Sequence, residues 1–266
     1  MTGASAWRAE EAAINGFPPL RQVVVDGWML RFSGSVRRTA NSATPLYEPR
    51  GDLAALVATA ESLYRRHNQP TIFRLPSFVD PAIDAALAGR GYTTEGESCI
   101  IEGPLVPIVA AGRAFGSADA VVLTPKPPRE WLAAMARLQG QSPEYHAVYR
   151  RVVGAVALPA AFAMLAVDGE AVALAYAVIH RGLLCYESVV TSAAYRRRGF
   201  SRRVLAALAA WGGENGAGAA GLQVEASNGP ARALYHSLGM VTELHRYHYR
   251  RAPRAGRGAL DFNGSS

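Results

Sequence analysis

The chain has 266 residues, half of them apolar and 18% charged, with 28 Lys+Arg against 21 Asp+Glu for a net charge of +7. That length builds one large domain or two small ones, and that composition is ordinary for a soluble globular protein. No apolar run approaches the roughly 20 residues of a membrane helix, and two cysteines, Cys99 and Cys185, are too few for a disulfide framework and lack zinc-ligand spacing.

The N-terminal "MTGASAWRAEEAAINGF" lacks the basic-then-apolar layout of a signal peptide, so the expectation is a cytoplasmic protein. "QVVVDGWMLRFS" reads as two short strands broken at Asp26-Gly27, a turn pair, and "RTANSATPLY" as a further strand. "GDLAALVATAESLYRRHN" is a helix: Asp52 caps it, and Leu53, Leu56, Val57, Ala60 and Leu63 or Tyr64 form one apolar stripe. "TIFRLP" is a buried strand ended by Pro76. "DPAIDAALAGRGY" is a short helix with Asp80 at its cap and Pro81 at its first position. "TTEGESCIIEG" gives one or two strands. The Pro- and Gly-rich stretch from Gly103 to Pro128 reads as a crossover, with "AVVLT" as a strand within it.

The second half begins with helices around Trp131–Leu138 and Tyr145–Val153. Three strands follow, joined by the tight-turn pairs Asp168-Gly169 and Arg181-Gly182. "TSAAYRRRGFSRRVLAAL" then leads into a helix from about Phe200 to Trp211. "GLQVEAS" is a strand, "NGPARALYHSLGM" a helix capped near Asn228, and "VTELHRYHYR" a final alternating strand. The arginine-containing tail from 253 to 266 is expected to be disordered and solvated.

The halves repeat one another. "GYTTE" at Gly91 and "GMVTE" at Gly239 share a spacing that also aligns Asp80 with Asn228 and Leu87 with Tyr235. Residues 1–112 carry a net charge of −1 and residues 113–266 a net charge of +8. An anionic ligand therefore belongs to the second half. Five of the eight residues from Arg196 to Arg203 are arginines, set around Gly199, and the first half has no such loop. A glycine between a strand and a helix lets the backbone approach a ligand, and the helix N-terminus offers unpaired N–H groups. With Arg196, Arg197 and Arg198 before it and Ser201 after it, the loop is a pyrophosphate-sized cradle. A nucleotide P-loop is excluded, because the single lysine, Lys126, lies elsewhere. The dinucleotide fingerprint is absent. Nucleic-acid binding is not expected, because the helix after Phe200 turns at once into the core-like "VLAALAAW".

"YRRRGFSRRVL" resembles the coenzyme A pyrophosphate loop of the GNAT N-acetyltransferases, Arg/Gln-x-x-Gly-x-Gly/Ala. Arg196 and Gly199 match, and Ser201 stands where Gly or Ala is usual. "LQVEASNGPARALYHSLGM" is similar to the next motif of that family through Asn228 and Tyr235, with Met240 in place of an aromatic. "DGWMLRFSGSVRRTANSATPL" with "HRYHYR" resembles a two-lobed bacterial subgroup. The resemblance implies an α/β (α+β) fold of tandem GNAT-like lobes, each a mixed twisted sheet flanked by helices. It places a degenerate lobe at 1–112 and a catalytic lobe at 113–252, where two parallel strands splay apart.

The resemblance further implies direct transfer from acetyl-CoA to a primary amine of a small molecule or protein, without metal or membrane, in a monomer or homodimer. Val189, Val190 and Thr191 would bond the pantetheine arm. Arg196 to Arg198, Gly199, Phe200 and Ser201 would hold the pyrophosphate. Asn228 would bond the arm or only fix its turn, and Tyr235 would protonate the leaving thiolate. Some family members place an acidic base where this chain has Gln223, which cannot titrate. The base is then Glu187, placed by strand alternation on one face with Cys185 and Val189, or Glu225 at the end of the other splayed strand. A water relay would need neither. Cys185 as a covalent carrier is disfavoured because direct transfer needs none. His180, His236, His245 and His248 read as structural. A non-catalytic acyl-CoA sensor is the competing reading; the presence of Tyr235 and Asn228 speaks against it.

Overall fold

A computed structural model describes residues 3–34, 37–47, 51–113 and 121–253. In chain order its elements are α1 (Gly3–Gly16), β1 (Arg21–Val25), β2 (Trp28–Phe32), β3 (Ala43–Pro45), α2 (Leu53–Arg66), β4 (Ile72–Pro76), α3 (Pro81–Gly89), β5 (Thr93–Pro104) and α4 (Leu105–Arg113). There follow β6 (Val121–Thr124), α5 (Arg129–Gln139), α6 (Pro143–Gly154), β7 (Ala160–Val167), β8 (Glu170–His180), β9 (Leu183–Thr191), α7 (Phe200–Glu214), β10 (Ala219–Glu225), α8 (Gly229–Ser237) and β11 (Thr242–Arg251). The expected turn pairs at 26–27, 168–169 and 181–182 all take positive φ. Asp52, Asp80 and Asn228 each accept a hydrogen bond from a first-turn amide of α2, α3 and α8.

Two local expectations change, the strand at 38–47 and the crossover. Residues 38–47 are not one strand; a 3-10 turn at Arg38–Ala40 precedes the short β3. Residues 93–104 are one long strand, and the supposed crossover holds α4. The N-terminal segment is a helix, α1, whose buried residues are Ala6, Ala9, Glu10, Ala12, Ala13, Ile14 and Gly16. Small residues at helical spacing let it lie close on the sheet, where Ala9 and Ala12 join a core cluster with Trp131, Tyr149, Tyr176 and Tyr247. The tail beyond Pro253 lies outside the described residues.

All eleven strands form one mixed sheet in the order β1-β2-β3-β4-β11-β5-β10-β9-β8-β7-β6. The two halves exchange their last strands. β11, from the end of the chain, pairs antiparallel with β4, and β5, from the first half, pairs antiparallel with β10. β5 and β11 pair with each other at the centre. The sheet therefore interleaves across residue 112, where the sequence is expected to divide. A Cβ on Gly103 of β5 would stand 2.3 Å from the carbonyl oxygen of Gly239, so the exchanged segments meet backbone to backbone. One core cluster lies where α4, α7 and α8 cover the sheet, a second joins α1, α5 and α6, and a third fills the first half under α2 and α3. No helix among the described residues is long and apolar enough to cross a membrane.

Candidate active site

β9 and β10 pair in parallel only from Leu183–Ala219 to Tyr186–Leu222. Beyond that point the strands separate, and β9 continues to Thr191 bonded only to β8. The backbone of Val189, Val190 and Thr191 thus borders an opening on the β10 side. A β-bulge sharpens the separation. Leu174 pairs with Val190 and Tyr176 with Glu187, so two steps on β8 face three on β9. The extra residue is Ser188, at φ 54, whose hydroxyl accepts a 2.9 Å hydrogen bond from Tyr149. The bulge corrects the expected alternation. Glu187 shares its face with Cys185, but Val189 packs into the opposite cluster and Val190 into that of Cys185.

Glu187 lines a cavity of about 560 Å³ in this opening, together with Ser188, Gln223, Glu225, Tyr247 and Arg37. Its side chain is nevertheless buried, and burial raises the carboxyl from its ordinary 4.5 to about 7, against the lowering effects of Gln223, Arg37 and Arg74. The C-terminal end of α1 helps to bury it: a Cβ on Gly16 would lie 3.4 Å from the Glu187 side chain.

Gln223 donates from Nε2 to Glu187 Oε1 at 3.2 Å. Its Oε1 accepts from Tyr247 Oη at 2.8 Å and from Arg74 Nη1 at 3.3 Å. Two donors on one amide oxygen fix which end of Gln223 meets Glu187. Arg74 is itself held by a fully buried fork to Glu10, with Nη2 to Oε2 at 2.8 Å, and His245 lies 3.1 Å from the same oxygen. Burial alone would raise the Glu10 carboxyl, but Arg74 and His245 outweigh it and hold it down to about 2. Glu225, the other expected carboxylate, ends β10 opposite Ser98 of β5 and is exposed at the cavity edge.

At the far end of β9, Gly199 caps α7 at φ 81 and has no side chain with which to bond the first-turn amides. Those amides have no intrahelical partner. Arg196, Arg197 and Arg198 are exposed around it, Arg197 at φ 64 and Arg198 stacked 5.2 Å from the Tyr195 ring. Ser201 Oγ lies 2.6 Å from Thr191 Oγ1 and ties the helix start to the strand end. The Phe200 side chain points into the core, so only its backbone can face a ligand. Arg202 donates to Ser237 Oγ on α8 at 2.6 Å. Asn228 is a helix cap, accepting from Ala231 N at 3.2 Å. Tyr235 is buried; burial first, and the Glu187 charge second, push its phenol up to about 12.

Cys185 is buried beside a 10 Å³ apolar void, and burial pushes its thiol well up, which disfavours a thiolate carrier. His180, His245 and His248 each meet a carboxylate, Glu11, Glu10 and Asp84. Among the described residues no three His, Cys, Asp or Glu side chains are grouped to hold a metal. Sequence reasoning missed Glu10, Arg37, Arg38, Arg74 and Tyr247. Arg74 had a signal, a lone charge inside the apolar "TIFRLP". The others had none, because their partners are distant in the chain.

The family described as "Probable histone acetyltransferase Rv0428c C-terminal" matches residues 4–250. The uncharacterized N-acetyltransferase YobR of Bacillus subtilis (strain 168) is 25% identical over 244 residues, 91% of this chain and 97% of YobR. Among solved structures, a GCN5-related N-acetyltransferase from Kribbella flavida superposes with a TM-score of 0.71 at 18% identity, covering 94% of this chain and 96% of that one. A tandem GNAT protein from the clavulanic acid biosynthesis pathway superposes at 0.67 and 16% identity, covering 93% and 88%. A match over nearly the whole length, on a sheet that splays between β9 and β10, assigns the chain: it belongs to the family of the probable histone acetyltransferase Rv0428c C-terminal region and is a GNAT-superfamily N-acetyltransferase.

Proposed function

We propose that the protein transfers the acetyl group of acetyl-CoA directly to a primary amine in the cavity beside Glu187. The observation that carries this reading is the course of β9, which leads from a buried carboxyl raised to about 7 to a glycine-capped helix N-terminus. The residues fit the coenzyme: first-turn amides of α7 and the flanking Arg196 to Arg198 suit a pyrophosphate, and the unpaired edge of β9 at Val189 to Thr191 suits an amide-bearing arm. Acetyl-CoA supplies the activated acyl group as a thioester. Glu187, poised near neutrality, takes the proton of the acceptor amine. Tyr235, protonated at all working pH values, gives a proton to the departing sulfur. Asn228 holds the start of α8 so that Tyr235 faces inward. Gln223 stands beside Glu187 without titrating, so the base has a fixed hydrogen-bond donor in place of a second acid.

The test is thermal shift. Acetyl-CoA at a hundredfold excess over its Kd stabilises the native protein by about 2.7 kcal/mol. Gly199→Asp puts a negative charge and a side chain at φ 81 where the pyrophosphate would lie, and the expected outcome is a folded protein that acetyl-CoA no longer stabilises. An undiminished shift in that variant removes the pocket assignment.

A further inference from the structure

Part of the cavity wall is cationic and comes from outside the coenzyme loop. Arg37, Arg38 and Arg251 line it. Arg37 and Arg38 sit at the 3-10 turn between β2 and β3, a turn that Asn41 locks by accepting from Ser33 N at 2.8 Å and donating to Arg37 O at 2.9 Å. The Arg37 guanidinium lies over the rings of Phe17 and Tyr145 at 5.5 and 5.7 Å. Arg38 Nη1 lies 3.3 Å from Glu95 Oε2 and Arg251 Nε lies 2.5 Å from Glu95 Oε1, so two guanidinium groups share one carboxylate. The pair with Glu95 keeps one positive charge.

Strand register separates this end from the acidic one. Glu225 stands opposite Ser98, which stands opposite Tyr247, whereas Arg251 stands four residues further along β11. At about 3.3 Å per residue that is roughly 13 Å between backbones, part of which arginine side chains span. One cavity therefore offers Glu187 and Glu225 together with guanidinium groups that run from Arg37, close enough to Glu187 to lower its carboxyl, to Arg38 and Arg251 further along.

We infer that the acceptor is an amine that also carries a carboxylate several bonds away, with the amine at Glu187 and the carboxylate on Arg37, Arg38 and Arg251. The inference rests on the transfer reading above. Planar guanidinium groups fixed by stacking and by a locked turn are preorganised for a carboxylate. The same chemistry could arrive on a free amino acid or on an acidic peptide.

The experiment measures CoA release with 6-aminohexanoate, n-hexylamine, 1,6-diaminohexane and the tripeptide Ala-Glu-Glu, alongside calorimetric titration of 6-aminohexanoate. The expected kcat/KM is roughly tenfold or more higher for 6-aminohexanoate or the tripeptide than for the two amines without a carboxylate, the size of a charged hydrogen bond. Which of the two leads tells amino acid from peptide. Arg38→Gln, which leaves Glu95 to Arg251, lowers that ratio and weakens the titration; Arg37→Gln does the same. Equal rates, preference for the diamine, or no turnover of either carboxylated amine by protein that acetyl-CoA stabilises overturns the inference. Absence of the acetyl-CoA shift while 6-aminohexanoate still binds through Arg38 instead sinks the transfer reading alone. Absence of both sinks both.

Discussion

Glu187→Gln separates the proposed base from its surroundings with almost no change of shape. Burial raises this carboxyl from 4.5 to about 7, which corresponds to about 3 kcal/mol of preference for the protonated form in the folded chain. The sign follows from linkage. Between pH 4.5 and 7 the unfolded chain has released this proton while the folded chain keeps it. Stability therefore falls as pH rises through that window, and the full penalty is present above it. Gln cannot ionise, so the variant escapes the slope. Urea denaturation read by tryptophan fluorescence at pH 5 and pH 8 should show Glu187→Gln gaining about 2 to 3 kcal/mol on the wild type between the two values. Other titrating groups occur in both proteins and cancel in the difference. Turnover moves the opposite way: the rise of kcat/KM with pH near 7 disappears, and the rate falls by roughly 10² to 10⁴. A stability difference that does not change with pH would refute the burial argument. A wild-type pH–rate profile in the variant would refute the role of base.

Tyr235→Phe keeps the ring in its core cluster and removes only the proposed acid. We expect kcat to fall about 10²-fold with Tm nearly unchanged, and wild-type turnover would end the assignment. Glu10→Ala leaves Arg74 and His245 buried without their shared carboxylate. Breaking such a pair costs about 3 to 5 kcal/mol, roughly a 10 °C fall in Tm by calorimetry; a loss below 1 kcal/mol would show that the network is not held by charge. Because Glu10 is held down to about 2, its contribution is present above pH 4.5 and is lost as pH falls towards 2. The variant should lack that acid-side slope.

The legible part of the fold was the part written locally. Asp52, Asp80 and Asn228 announced their helices because caps and apolar stripes lie within one turn of each other. The placement of Gly199 at the start of α7 and of Glu187 on β9 was legible for the same reason. The exchange of β5 and β11 was not. "GYTTE" and "GMVTE" open two strands of similar pattern, and either satisfies the hydrogen-bonding edge of β4 or β10. Side-chain alternation says which face a strand buries but not which neighbour it takes. The bulge at Ser188 was hidden because it belongs to the pairing of β8 with β9 rather than to the sequence of either. α1 was hidden because its buried residues are mostly alanine, with one glycine, one glutamate and a single large apolar side chain, Ile14. Helical spacing is audible in Leu and Val, and much less so in residues that also suit surfaces and loops.

The first half lacks the arginine loop and the helix tyrosine, yet it is not an appendage. Its helix α1 packs against Glu187 at Gly16 and contributes to the burial that raises the carboxyl to about 7. Its strand β4 supplies Arg74, which with Tyr247 orients Gln223 towards Glu187. Its strand β5 stands where the last strand of the second half would otherwise pair with β10. On the transfer reading proposed above, an amine approaching Glu187 would meet a site whose coenzyme loop belongs to the second half and whose proton affinity is tuned by residues of both halves, Gln223 from the second and Arg37, Arg74 and Arg31 from the first. If Glu187 is the base, as proposed, enlarging Gly16 at the α1–β9 contact or removing the buried charge of Arg74 on β4 would move it out of the pH range where it is useful.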